Sequence, residues 1–291
     1  MSEDGADMEE RLAGRTCLVT GATSGIGLAA AIELAARGAR LALLARSPER
    51  AEEAVRVIRA RAPDAEVEIH LADLGSLASI RRVAPEMLAR HPRLDVLLNN
   101  AGVFQLRRRT TADGFESMFG VNHLGHFLLT ELLLERLRAT PGARIVSVAS
   151  EAHRFGGPLD FGDLQSERRY RPMSVYGRSK LCNILWTREL ARRLAGSGVT
   201  VNCCHPGAVA TRLGQGDALW TRVLGRLVGL FFLSPEQGAR TAVFLASSPE
   251  VSGRSGGYFI RERERSPAAF AEDDAAARRL WEVSEALVAA G

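Results

Sequence analysis

The sequence predicts an α/β fold in a single domain, with a doubly wound parallel sheet. Three observations predict it. Short apolar runs alternate with longer helical periods, the runs are too continuous for strands with one wet face, and a glycine-rich turn joins the first run to the first helix. The runs are Thr16–Thr20, Leu41–Ala45, Val67–Leu71, Val96–Leu98, Ile145–Val148 and Val199–Cys204. Helical patterns at Ile26–Arg37, Arg50–Arg61, Phe115–Leu137 and Val175–Ala195 separate several of them. Strands covered by helices on both faces form parallel sheets, and ligands then gather outside the carboxyl ends of the strands.

The 291 residues, 46% of them apolar, can bury one large core. No repeat, low-complexity segment or linker interrupts 14–291, so that span reads as one domain. Two stretches depart from the alternation. The first, Phe155–Pro172, is a polar loop; the second, Gly207–Leu233, is irregular and strongly apolar. A last helix, Asp273–Ala289, sets Ala277, Leu280, Trp281, Ser284 and Leu287 at helical spacing and should dock through one stripe. Residues 1–13, with five acidic groups between Glu3 and Glu10 and no apolar run, read as a disordered tail rather than a signal or an anchor.

Composition excludes several partners. A net charge of +4 without a basic stripe interleaved with aromatics argues against nucleic acid. Arg107, Arg108 and Arg109 read as a solvated loop. No run of 18 uncharged apolar residues is present to span a bilayer. Cys17, Cys182, Cys203 and Cys204 show no metal spacing and read as small buried hydrophobes, which points to a reduced, cytoplasmic setting and no metal.

The glycine turn is Thr20-Gly21-Ala22-Thr23-Ser24-Gly25-Ile26-Gly27. A backbone that turns sharply from strand to helix, with no Cβ in the way, can bring a helix N-terminus against a pyrophosphate. After the first strand of such an alternation this is the signature of a dinucleotide site. The second strand ends Leu44-Ala45-Arg46-Ser47, where a carboxylate would bind the 2′-hydroxyl of NAD. Arg46 instead suits a 2′-phosphate, so the expected cofactor is NADP(H).

Tyr176 and Lys180 lie one turn apart at the start of a helix. A phenol near pKa 10 is a weak base at neutral pH, and an adjacent ammonium favours its ionised form. Ser150 ends the strand Ile145–Val148, where its hydroxyl could orient a substrate oxygen. As isolated residues, Ser150 would read as a cap and Tyr-x-x-x-Lys as a chance pair.

Together, Thr20–Gly27, Asn99-Asn100-Ala101-Gly102, Asn122, Ser150, Tyr176 with Lys180, and Pro206-Gly207 resemble the short-chain dehydrogenase/reductase family over about 14–257. The resemblance implies a Rossmann-type fold with Tyr176 as acid/base and Lys180 lowering its pKa and binding the nicotinamide ribose. It implies that Ser150 positions the carbonyl and Asn122 holds a relay water. It extends cofactor contacts to Gly21, Ser24, Gly25, Ile26, Gly27, Arg46, Asp73, Leu74, Asn99, Asn100, Ala101, Gly102, Tyr176, Lys180, Pro206, Gly207 and Thr211.

The segments Arg144–His153, Tyr176–Leu185, Ala191–Leu194 and Ala277–Ser284 are similar to the retinol dehydrogenase group. That likeness implies NADP(H) and a bulky, apolar alcohol, aldehyde or ketone, such as a retinoid or steroid, as the small lipophilic partner. The acidic start stands where the membrane-bound retinol enzymes carry an apolar anchor. The 207–233 segment is expected to be a substrate lid, with a packed helix or a membrane-surface contact through Arg222 and Arg226 as the other readings. His153 and Phe155 are placed to wall the pocket, although a histidine there ordinarily packs or caps. The family implies a homodimer or homotetramer. Two other readings are a catalytically silent nucleotide-binding regulator and a sugar-nucleotide epimerase; an intact Ser/Tyr/Lys/Asn set weighs against the first and the glycine spacing against the second.

Overall fold

The computed structural model describes residues 12–207 and 233–290. Most of the acidic tail, the body of the expected lid and Thr211 lie outside them. Eight strands form one sheet in the order β3-β2-β1-β4-β5-β6-β7-β8. They are β1 (Thr16–Thr20), β2 (Arg40–Ala45), β3 (Val67–Leu71), β4 (Val96–Asn99), β5 (Arg144–Val148), β6 (Thr200–His205), β7 (Tyr258–Ile260) and β8 (Arg263–Glu264). All neighbours are parallel except the short β7–β8 pair. The order reverses between β1 and β4, which opens the crevice at the carboxyl edge where such sheets take ligands.

Helices α1 (Gly25–Ala36), α2 (Pro48–Arg61), α3 (Leu77–Arg90), α4 (Gly125–Arg138), α5 (Pro172–Arg193), α6 (Pro235–Ser247) and α7 (Asp274–Ala290) cover the two faces. They enclose two cores. One packs α3, α4, α5 and α7 on Leu18, Leu97, Ile145 and Cys203; the other packs α1 and α6 on Val19, Leu98, Val146 and Cys204. Alternating side chains of the same strands serve opposite cores, which is why the central strands read as unbroken apolar runs. Adjacent Cys203 and Cys204 thus fall into different cores, and all four thiols are free and buried.

β3 departs from the expectation of full burial. Only His70 is buried in it, while Glu68 and Leu71 are exposed, because β3 is the sheet edge and its outer face meets water. Three features were not legible in the alternation. Helix α3 runs through Pro85, with its N-terminus capped by Ser76, which accepts the Ser79 N–H. α6 starts on a reciprocal Ser234/Gln237 capping box, and β7 is too short for a periodic signal.

The last helix docks as its stripe predicts. Ala277, Leu280, Trp281 and Ser284 are buried, with Leu287 partly covered and Val288 completing the contact. Trp281 meets Phe127 of α4 edge-on at 4.9 Å and carries the Arg193 guanidinium over its ring at 4.1 Å. The Ser284 hydroxyl bonds to His123 at 2.8 Å.

Glu131, on α4, lies in this contact, and burial together with the Glu285 charge raises its carboxyl to about 7. A raised folded-state pKa means that stability is complete below the unfolded value near 4.5 and is lost as pH rises through 7. Glu131→Gln should therefore raise the thermal midpoint more at pH 8 than at pH 5. A gain independent of pH, measured by thermal unfolding at the two values, would contradict that assignment.

Candidate active site

The glycine turn sits at the carboxyl end of β1. Gly21 adopts φ +68°, and a Cβ on it would stand 2.8 Å from the Ala101 Cα, so the turn closes directly on the Asn99–Gly102 segment. Gly27 lies against the Gly21 carbonyl and the Asn100 amide, where a side chain would collide with both. Ser24 precedes α1 but its hydroxyl caps none of the first-turn amides, whereas Ser47 and Ser76 cap α2 and α3. The first-turn amides of α1 are thus left without a side-chain cap. A pyrophosphate suits both those donors and the side-chain-free path beside them.

Thr20 holds this turn to its neighbours. Its hydroxyl oxygen accepts the N–H groups of Asn100 and Ala101, each at 2.9 Å, and lies 2.9 Å from His126 Nε2. His126 Nδ1 stands 3.2 Å from the Asn122 carbonyl, which can only accept. Nδ1 therefore carries the hydrogen, and Nε2 accepts the Thr20 hydroxyl proton. Burial pulls His126 down to about 4, so the ring is neutral, as this network requires.

Asn122 does not sit in regular helix. Ser117–Phe119 and α4 are joined by a π-helical turn, Gly120–Leu124, with the Gly125 N–H bonding back to Gly120. Such turns widen the helix and redirect its carbonyls, frequently at functional sites. The Asn122 side chain is a clamp. Its oxygen accepts the Val103 N–H at 2.7 Å, and its amide donates to the Val103 carbonyl and to the Ser179 hydroxyl, both at 3.0 Å. The Ser179 hydroxyl in turn donates to the Tyr176 carbonyl at 2.8 Å.

Ser150 starts a 3-10 turn, Glu151–Phe155, its hydroxyl accepting the Ala152 N–H at 3.1 Å. The turn packs tightly on α5, because Gly177 allows the Ala152 carbonyl to lie where a Cβ would be. Ser150 and Tyr176 are thereby brought within hydrogen-bond reach. Burial pushes the Tyr176 phenol up to about 12, against the lowering expected from Lys180, and the Ser150 hydroxyl works in the opposite direction. Phe104 meets the Tyr176 ring edge-on at 5.5 Å.

Lys180 is 3% exposed. Its Nζ donates to the Val148 carbonyl at 2.8 Å and lies 5.8 Å from the Tyr176 ring centre. Burial lowers the ammonium to about 8. Gly102 faces both Lys180 Nζ and the Asn122 oxygen, with no side chain between them.

Ser150, Tyr176, Lys180, Asn122 and Gly102 thus converge. Asn99 is buried, its amide on Thr130 Oγ1 at 3.1 Å and its oxygen without a partner among the described residues. Asn100 secures the glycine turn through the Thr20 carbonyl at 2.8 Å. Asp73 folds back on the Gly75 N–H at 2.8 Å, and Leu74 is buried. Arg46 is exposed at the end of β2. Pro206 and Gly207 follow β6, partly buried.

His153 takes the ordinary role. Its Nδ1 donates to the Ser150 carbonyl at 2.7 Å and its Nε2 accepts the Ala268 N–H at 3.0 Å, which ties the Ser150 turn to the C-terminal segment. Phe155 stays 68% exposed. Sequence reasoning passed over His126, Ser179 and the hydroxyl of Thr20, since each acts through partners at least 57 positions away or through the backbone.

An open helix N-terminus at the switch point of a doubly wound sheet, beside a buried ammonium and a phenol, is the arrangement of a dinucleotide-binding oxidoreductase. The chain belongs to the short-chain dehydrogenase family, whose model matches residues 15–221, and within it to the retinol dehydrogenase-like group. It is 48% identical to retinol dehydrogenase 14 of Homo sapiens over 293 residues, covering 94% of this chain and 86% of that protein. An uncharacterized protein from Mycobacterium Paratuberculosis superimposes with a TM-score of 0.78 at 35% identity, covering 97% of this chain and 96% of that one. A short chain dehydrogenase from Burkholderia cenocepacia, solved in complex with NADP, gives 0.67 at 30% identity over 86% of this chain and 96% of that one. The protein is accordingly a nicotinamide-dependent oxidoreductase of alcohol or carbonyl groups.

Gly177→Ala should force the 3-10 turn away from α5, since the new methyl would also stand 2.8 Å from the Gly156 nitrogen. Overpacking of this kind typically costs about 1–3 kcal/mol. The expected result is a thermal midpoint several degrees lower; an unchanged midpoint would show that the turn slides freely.

Proposed function

We propose that this protein transfers hydride between NADP(H) and a lipophilic aldehyde or ketone, or the corresponding alcohol. The observation that carries the reading is the meeting of the Ser150 hydroxyl, the Tyr176 phenol and the buried Lys180 ammonium at the carboxyl edge of the sheet.

Gly21, Ser24, Gly25, Ile26 and Gly27 would hold the pyrophosphate, with Asp73 and Leu74 about the adenine. Asn99, Asn100, Ala101 and Gly102 would line the cleft, and Pro206 and Gly207 would face the carboxamide. When bound, the nicotinamide supplies the hydride. Lys180 fits the ribose hydroxyls because its ammonium is already desolvated and has one bond made, to Val148. Arg46 supports NADP(H): it ends β2 with its guanidinium exposed, and the structurally similar Burkholderia enzyme holds that cofactor.

At neutral pH a phenol pushed up to about 12 keeps its proton, so Tyr176 is set to protonate an oxygen that gains charge as hydride arrives. The Ser150 hydroxyl would hold that oxygen beside it. In the reverse direction Tyr176 must first be ionised. The phenolate fraction grows tenfold per pH unit below the raised pKa, so alcohol oxidation should climb with pH from 7 upward while carbonyl reduction stays level through neutrality.

Three large apolar side chains support a lipophilic substrate. Leu106, Phe155 and Met173 are all exposed, and they sit on the segments that carry Gly102, Ser150 and Tyr176. Met173 lies three residues before Tyr176 on α5, hence on the same helical side. The name of the human relative points the same way.

Tyr176→Phe should cut turnover by roughly 10²–10⁴-fold, the usual share of general acid–base catalysis, with NADPH binding within threefold of the parent. An NADPH-oxidation assay over retinal, steroid ketones and aliphatic or aromatic aldehydes, with fluorescence titration for binding, checks both; retained turnover would remove Tyr176 from the chemistry. Arg46→Asp should lower the NADPH-to-NADH ratio of kcat/KM at least tenfold, and an unchanged ratio would remove the 2′-phosphate assignment.

A further inference from the structure

Away from the dinucleotide crevice, β3 and the end of α3 bring together two histidines that the oxidoreductase chemistry does not use. His70 Nε2 and His91 Nε2 face each other at 2.8 Å, although the residues are 21 positions apart. Glu68, two residues before His70 and therefore on the same edge strand, places its Oε2 3.8 Å from His91 Nε2. One ligand atom from each of the three lies within 4.8 Å of the others, and among the described residues this is the group of His, Cys, Asp and Glu side chains so arranged.

We propose that Glu68, His70 and His91 form a binding site for a borderline transition-metal ion, with zinc as its natural occupant. Two imidazole nitrogens and one carboxylate oxygen are the ligand set this ion favours, a water completing the tetrahedron. Two nitrogens on one tetrahedral zinc stand about 3.3 Å apart, given bonds of about 2.0–2.1 Å, so the pair need only spread by about half an ångström.

The surroundings prepare the ligands. Among the described residues His70 Nδ1 has no hydrogen-bond partner, and it lies 3.6 Å from Glu86 Oε1, the carboxylate placement that orients a metal-bound imidazole from behind. Arg90 holds Glu86 there at 3.3 Å. Arg136 donates to the His91 backbone carbonyl, which fixes the other histidine at the end of α3. His70 is fully enclosed while Glu68 is about half exposed, which gives the ion its entry from solvent. A bound ion would fasten the unpaired edge of the sheet to the helix packed on it, and both elements lead directly into or out of the Asp73–Leu74 segment.

The test uses the full chain, freed of any affinity tag, treated with EDTA and desalted. Equilibrium dialysis against zinc sulphate at pH 7.5 should give one zinc per chain, not displaced by millimolar magnesium. Zinc at a hundredfold excess over its Kd should raise the thermal midpoint by several degrees. Glu68→Gln and His91→Gln should each weaken binding at least tenfold and abolish the thermal shift. Glu68→Gln changes a half-exposed side chain, so its metal-free midpoint should match the parent and keep the comparison valid. No stoichiometric zinc, displacement by magnesium, or equal binding by parent and Glu68→Gln would each overturn the site.

Discussion

The buried hydroxyl of Thr20 is the point on which the crevice depends. It ends β1, accepts two backbone N–H groups from the turn after β4, and donates a hydrogen bond to His126 on α4. A single side chain thus fixes the glycine turn, the Asn99–Gly102 turn and the π-helical segment in one frame. The frame has a definite polarity, because the Asn122 carbonyl forces the hydrogen onto His126 Nδ1. A protonated His126 would face Thr20 with a donor, and burial, which pulls the ring down to about 4, keeps that state out of reach at neutral pH.

From this frame the rest of the site is suspended by short polar links. Asn122 carries the register from α4 to the Val103 backbone and, through Ser179, to the carbonyl of Tyr176. Lys180 reaches across to the Val148 carbonyl at the end of β5, two residues before Ser150. Gly177 lets the Ser150 turn lie directly on α5. Each link ties a strand end to a helix, so the positions of Ser150, Tyr176 and Lys180 follow from how the helices sit on the sheet. Buried polar links of this kind rigidify a site. The charge state of the site follows from the same burial, which favours the protonated phenol and weakens the ammonium, each the less charged form.

Much of this was legible in the residues. The central strands announce themselves because both of their faces are buried, and the last helix because its stripe recurs every three or four residues. β3 read as a buried strand because its edge position depends on strand order, which no local pattern encodes. Pro85 obscured α3, since a proline normally ends a helix; only the packing of Ile80, Val83, Ala84 and Met87 explains its continuation. The Tyr176/Lys180 pair and the glycine turn were visible as spacings. The π-helical turn at Asn122 was not, because the residues around it are buried almost throughout and leave no one-sided stripe to show the shift.

By itself the sequence determined the class of fold and the family, because the strand–helix alternation and the order and spacing of the motifs are written along the chain. Tertiary structure decided the remainder. It made His153 a strut and His126 a neutral link, enclosed Lys180, and set His70 against His91 across 21 positions. The physical reason is the same in each case: a side chain's charge, tautomer and partners depend on which distant groups replace its water, and that is settled only when the helices close on the sheet.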